Sequence, residues 1–141
     1  MYRLILCFLL LSGTVQAQNP QLTIEIQNIE VEKGKITIGV FTKNDIFLKV
    51  SSVYKSYSVA VRKNTETITI KDLPKGEYAF IIYQDKNSDG KLNENALGIP
   101  KEPFVFSNNV RPKFSKPTFE DCKFSLASNR VMKVRLDYYN K

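Results

Sequence analysis

Apolar and polar side chains alternate along much of this chain. Leu22, Ile24 and Ile26 alternate with Thr23, Glu25 and Gln27, and Ile36, Ile38 and Val40 with Lys35, Thr37 and Gly39. Val59 and Val61 sit between Ser58, Ala60 and Arg62, and Ile68 and Ile70 alternate with Thr67, Thr69 and Lys71. Near the end, Met132, Val134, Leu136 and Tyr138 alternate with Lys133, Arg135 and Asp137. A period of two puts successive side chains on opposite faces, so each segment predicts a strand with one wet face. Residues 78–83, Tyr-Ala-Phe-Ile-Ile-Tyr, do not alternate. That run predicts a central strand buried on both faces. Residues 123–126 add a short strand, and turns are signalled at Lys33-Gly34, Lys63-Asn64 and Pro74-Lys75-Gly76. About seven short strands with frequent turns predict an all-β fold, a single antiparallel β-sandwich of immunoglobulin-like or prealbumin-like kind. Residues 43–56 fit either a short helix or a strand edge.

Composition strengthens the β reading and adds a compartment. Residues 18–141 hold 42 Val, Ile, Thr, Tyr and Phe against 12 Ala, Leu and Met. Branched and aromatic side chains suit a pleated surface, whereas straight chains suit helices. Before this lies a basic start, Met1-Tyr2-Arg3, then an apolar run from Leu4 to Leu11, then Val15-Gln16-Ala17 with small residues at −3 and −1. This is the three-part pattern of a signal peptide over 1–17, leaving one domain over 18–141. The run is far shorter than the ~20 residues that span a bilayer. The expected location is therefore periplasmic or extracellular. Cys7 leaves with the leader, so Cys122 has no partner for a disulfide and reads as a buried, inert thiol.

Other absences exclude chemistry. The chain has no His and only two Cys, which removes Ser-His-Asp triads, Cys-His dyads and zinc sites built on His or on four thiolates. The formal charge is +7. Residues 33–63 carry Lys33, Lys35, Lys43, Lys49, Lys55, Arg62 and Lys63 against Asp45 alone. Such a segment suits an anionic polysaccharide or lipid surface, although lysine is also the usual exposed residue of sheet edges. No motif for reading nucleic acid is present.

One segment has the spacing of an ion site. Asp85, Asn87, Asp89 and Asn93 stand at positions 1, 3, 5 and 9 of a loop with Gly90 at position 6. Calcium takes six to eight hard oxygens, which alternate residues of a tight loop supply, and the Lys91 carbonyl would add a backbone ligand. Position 12 is Ala96 instead of a bidentate Glu, with Glu94 or Asn95 as substitutes. Weak affinity, ~0.1–1 mM, is expected. Asp, Asn, Ser and Gly also make metal-free turns.

Residues 97–119 follow with little alternation, many Pro and Asn, and Arg111, Lys113 and Lys116 without an acid between Glu102 and Glu120. A connection this long is usually functional or tied down. Phe104, Phe106, Phe114 and Phe119 are expected to pin it to the sandwich; the alternative is an aromatic and basic binding lip.

Leu73-Pro74-Lys75-Gly76-Glu77-Tyr78-Ala79, Asp85 to Leu92, Leu97-Gly98-Ile99-Pro100-Lys101-Glu102-Pro103, Phe106-Ser107-Asn108-Asn109 and Pro117-Thr118-Phe119-Glu120-Asp121 occur in that order. As an ordered set they resemble the exported bacterial family filed as domain of unknown function 2141. The resemblance covers nearly all of 20–138 and implies a periplasmic or extracellular β-sandwich with no assigned activity. The family often carries His before the first Asp, where this chain has Gln84, and Asp where it has Asn93. Chemistry that relies on that His is not expected here.

The expected function is an exported, non-enzymatic β-sandwich module with a binding or structural role, in which calcium clamps residues 85–97. One alternative is the basic surface of 33–63. The other is a carboxylate-based hydrolase using Glu94, Glu102, Glu120 or Asp121, if two of them face across a cleft roughly 5–9.5 Å apart.

Overall fold

The computed structural model describes residues 17–31 and 33–139. Ala17 apart, the expected leader lies outside the described residues. Eight strands are described: β1 (Leu22–Gln27), β2 (Lys35–Phe41), β3 (Lys55–Ala60), β4 (Glu66–Ile70), β5 (Gly76–Asp85), β6 (Phe104–Phe106), β7 (Phe124–Leu126) and β8 (Arg130–Arg135). A single turn of helix, α1 (Phe119–Cys122), precedes β7. One sheet has the order β4-β1-β8 and the other β3-β2-β5-β6, with β7 pairing the first residues of β5. The two sheets form an all-β sandwich.

Every strand pairing is antiparallel except one. β1 and β8 run parallel, with Ile24 opposite Met132 and Ile26 opposite Val134. This corrects the wholly antiparallel expectation. Antiparallel neighbours follow from short turns, whereas β1 and β8 are separated by nearly the whole domain and are free to pair either way.

The alternation settles which residues face inward. Leu22, Ile24 and Ile26 of one sheet pack with Ile36, Ile38, Val40, Phe80 and Ile82 of the other to make the inter-sheet core. On the other face of β5, Ala79 and Tyr83 are buried too and join Phe104, Phe106 and Cys122 in a second cluster, with Ile81 half-buried against it. The expected two-faced burial of 78–83 is therefore met. The cause is that the long connections fold back over the outer face of the larger sheet.

Local corrections follow from the same packing. β3 begins at Lys55, earlier than the Val59–Val61 alternation implied, and a 3-10 turn at Val50–Ser52 occupies the ambiguous stretch. Residues 97–119 are not structureless, because β6 pairs with β5 through Ile82↔Val105. All three β6 residues are buried, so no alternation marked it. Phe104, Phe106 and Phe119 pin the segment, but Phe114 is fully exposed and pins nothing.

Buried polar side chains fasten the loops. Gln84, fully buried, accepts from the Glu30 N–H and donates to the Glu30 and Lys33 carbonyls at 2.7 and 2.8 Å. It thus holds the β1–β2 connection. Ser107 donates to the Cys122 carbonyl at 2.6 Å and accepts from the Phe80 N–H at 3.1 Å. The Asn109 amide takes the Lys133 carbonyl and the Arg135 N–H, sealing the free edge of β8 as another strand would. Asn108 and Asn109 are both left-handed, a conformation Asn tolerates better than most residues. Beside these, Tyr138 and Lys86 bind Glu30, at 2.5 and 3.0 Å, and hold its carboxyl down at about 2.

Candidate functional site

The covered face of the larger sheet is only partly filled. Thr37, Gly39 and Phe41 of β2, Ile81 and Tyr83 of β5, and Phe104 and Phe106 of β6 floor a groove of about 630 Å³. Leu48, Val50 and Val53 make one wall, and Leu92, Leu97, Ile99 and Pro100 the other. Pro112 and Pro117 come from the connection after β6. Large apolar side chains stand exposed at its mouth, with Val50 at 88% and Leu97 at 83%. Exposed apolar residues gathered in one place mark interaction sites more often than single ones do.

Gly39 opens the floor. It lies mid-strand, where glycine costs roughly 0.5–1 kcal/mol relative to Ala. A Cβ there would meet Ile81, Phe41 and Val53 at 3.5–3.8 Å, which is ordinary contact. Neither crowding nor a positive φ demands glycine here. The missing side chain instead leaves room in the groove, and interior strand glycines often mark such close approaches.

Few polar groups face this space. The Thr37 hydroxyl is buried with no hydrogen-bond partner. Burial pushes the pKa of the neighbouring Tyr83 phenol up. The Tyr83 hydroxyl donates to the Gly90 carbonyl at 3.2 Å. Lys91 lines the wall and forms no ion pair among the described residues, whereas Lys116 lies 3.6 Å from Glu94.

The wall formed by residues 86–102 includes the expected calcium loop. Asp85 is fully buried, and its two oxygens accept from the Asp89 and Gly90 N–H groups at 3.1 and 2.8 Å. Lys35 approaches the same carboxylate at 3.7 Å. Asp89 accepts from the Asn87 and Asn93 amides and from the Lys91 N–H, and these bonds lower its pKa. Asp85, Asn87, Asp89 and Asn93 are thus linked in one turn, while Lys91 joins through its N–H. Gly90 has the expected left-handed φ, +80°. Among the described residues no three His, Cys, Asp or Glu side chains converge as a metal site.

Sequence reasoning missed the second half of this clamp. Glu102 is buried, and its oxygens accept from the Lys86 N–H at 2.8 Å and the Asn93 N–H at 3.1 Å. One carboxylate therefore ties both ends of the loop. Backbone bonds from Asn95 to Ile99 and from Lys101 to Asn93 close the hairpin between them. A lone acid between Lys101 and Pro103 gives no local sign of this role.

The four acids considered for hydrolysis are engaged separately. Glu102 holds the loop, Glu94 faces Lys116, Glu120 pairs with Lys123 at 2.9 Å, and Asp121 closes a capping box with Thr118 at the start of α1. The basic run of 33–63 is also partly neutralised from outside, through Lys33–Glu30, Lys35–Asp85 and Lys55–Asp72. The Cys122 thiol is fully buried, and burial pushes it up to about 12.

Cations do gather elsewhere. A second cleft of about 560 Å³ is lined by Arg111 and Lys113 from the connection after β6 and by Lys133 and Arg135 from β8. Asp137, 3.1 Å from Arg111, is the one acid among its lining residues. The linear sequence signals Arg111 and Lys113 as a basic lip, but in β8 the period says only that Lys133 and Arg135 are exposed.

A family model described as "Uncharacterized protein conserved in bacteria (DUF2141)" matches residues 24–134. No curated protein and no solved structure matches the chain.

Proposed function

The chain belongs to the bacterial family DUF2141, and for this member we propose an exported, non-enzymatic binding module that holds one alkyl chain in the groove on its larger sheet. The sandwich, which we place with immunoglobulin-like or prealbumin-like folds, would act as a rigid floor and its loops as walls. The observation that carries this reading is the groove floored at Gly39. Its volume lies within the ~300–1,000 Å³ range of small-molecule sites. Its lining is mostly apolar, with aliphatic, aromatic and proline side chains together outnumbering the polar ones. The alternative basic surface of 33–63 is weakened by the ion pairs that engage Lys33, Lys35 and Lys55.

Titration calorimetry with monomeric decyl maltoside tests this. Saturable one-to-one binding with a negative heat-capacity change is expected, as burial of apolar surface requires. Gly39→Phe should fill the floor and abolish it. Leu97→Glu, at an exposed position, should leave the melting temperature within about 2 °C, since surface changes rarely exceed ~0.5 kcal/mol. It should still weaken binding at least fivefold. No saturable heat, or binding indifferent to both variants, would remove the groove as the site.

Calcium at Asp85, Asn87, Asp89, Lys91 and Asn93 is the accompanying proposal, as a second clamp on the same wall. An ion that binds only the folded chain adds RT ln(1 + [L]/Kd), about 1.4 kcal/mol at ten times Kd. Melting scans in calcium and in chelator should then differ by roughly 3–6 °C for a domain of this size. Equal melting temperatures would leave the carboxylate–amide bonds as the whole clamp.

A further inference from the structure

The groove and the basic cleft are neighbours with common walls. Phe104, Pro112 and Tyr139 line both. Backbone bonds of 3.0 and 3.2 Å join Phe104 to Asp137 and fix this partition between the sheets. The two spaces therefore adjoin along Phe104, Pro112 and Tyr139.

The charge in that cleft is not balanced. Arg111 is matched by Asp137, and Lys133 lies 3.6 Å from Glu25. The side chains of Lys113 and Arg135 form no ion pair among the described residues. Two exposed cations are thus left facing one recess, and an arginine there can present two parallel N–H donors to a carboxylate or phosphate. Lys91, without an ion pair among the described residues, adds a cation on the groove wall itself.

We infer that the ligand of the groove is an anionic amphiphile, with its alkyl chain in the groove and its head group between Lys113 and Arg135 in the adjoining cleft. This rests on the groove reading and specifies its ligand class. The chain supplies contact area, and the head supplies orientation and most of the salt dependence.

Three ligands in titration calorimetry separate the possibilities: decyl phosphate, decanoate and decyl maltoside, each monomeric, with inorganic phosphate alone as a fourth. At low ionic strength both anionic amphiphiles should bind at least tenfold tighter than the maltoside. That advantage should shrink severalfold at high salt. The double variant Lys113→Glu/Arg135→Glu reverses charge at two exposed positions and should erase the advantage while leaving maltoside binding unchanged. Leu97→Glu should weaken all three amphiphiles. Equal affinity for charged and neutral amphiphiles would overturn the head-group assignment and leave the groove standing. Anionic binding that matches inorganic phosphate and ignores Leu97→Glu would also overturn it, as the cleft would then act alone. Failure of all three amphiphiles would remove the groove and this inference together.

Discussion

Gly34→Ala is expected to destabilise the protein by roughly 4 kcal/mol or more, from left-handed strain together with a backbone clash. Gly34 sits in the turn before β2 with φ at +65°. A Cβ added there would lie 1.9 Å from the Asp85 carbonyl oxygen and 2.8 Å from the Lys86 Cα. Those atoms are backbone, at the end of the central strand, and cannot rotate aside as a side chain would. The strand must move, and with it the first rung of β2 on β5, Lys35 opposite Asp85. The same movement would disturb the Asp85 carboxylate that caps the groove wall. Gly90→Ala is the matched control. Gly90 is also left-handed, at φ +80°, but an added Cβ would have nothing within 4 Å. Strain alone should cost it about 1–2 kcal/mol. In thermal scans the two variants should melt on the order of 10 °C apart. Similar melting temperatures would mean that the Gly34 turn rebuilds freely and does not fix the end of β5.

The strands were legible where one face is wet and one is dry. β1, β2, β4 and β8 each show that alternation, and β5 announces its two buried faces by an unbroken apolar run. The groove was not legible for the same reason. Thr37 and Gly39 occupy the polar positions of β2, and period two assigns such positions to water. In the fold they face a space roofed by loops, and nothing local in β2 records the roof. β6 was missed because three residues buried together show no period. The parallel pairing of β1 with β8 was missed because strand partners far apart in sequence leave no local pattern. The motifs that carried the family resemblance are largely fasteners. Ser107 and Asn109 tie β5, β8 and α1 together, and Thr118 with Asp121 caps α1. The capping pair could have been read, since a threonine followed three residues later by an acid before a buried residue is a helix-start signal. The cleft cations could not, because long-range bonds, from Asn109 to β8 and from Arg111 and Phe104 to Asp137, bring Lys133 and Arg135 beside Arg111 and Lys113.

Glu102→Ala is expected to weaken ligand binding more than it weakens the fold. The variant leaves two backbone donors, Lys86 N–H and Asn93 N–H, without their acceptor. Hydrogen bonds to a charged group contribute ~1.5–3 kcal/mol each, and water can replace part of that at these half-buried amides, so about 2–4 kcal/mol should be lost. Melting should fall by roughly 6–20 °C while the sandwich core stays intact. The binding effect should be larger in proportion. Leu92, Leu97, Ile99 and Pro100 all belong to the hairpin that Glu102 anchors, and they form one whole wall of the groove. A wall that samples open positions lowers the fraction of molecules able to bind, and affinity falls by that fraction. Decyl maltoside affinity should drop at least tenfold at a temperature where both proteins are folded. Glu102→Gln refines the cause. Its amide keeps one acceptor but turns an NH2 donor toward the other N–H, so it should recover only part of the loss. Amide exchange at Asn93 should rise in both variants. If melting falls while affinity holds, the loop is a fastener of the fold alone, and the groove keeps its shape from the Val50 and Pro112 sides without it.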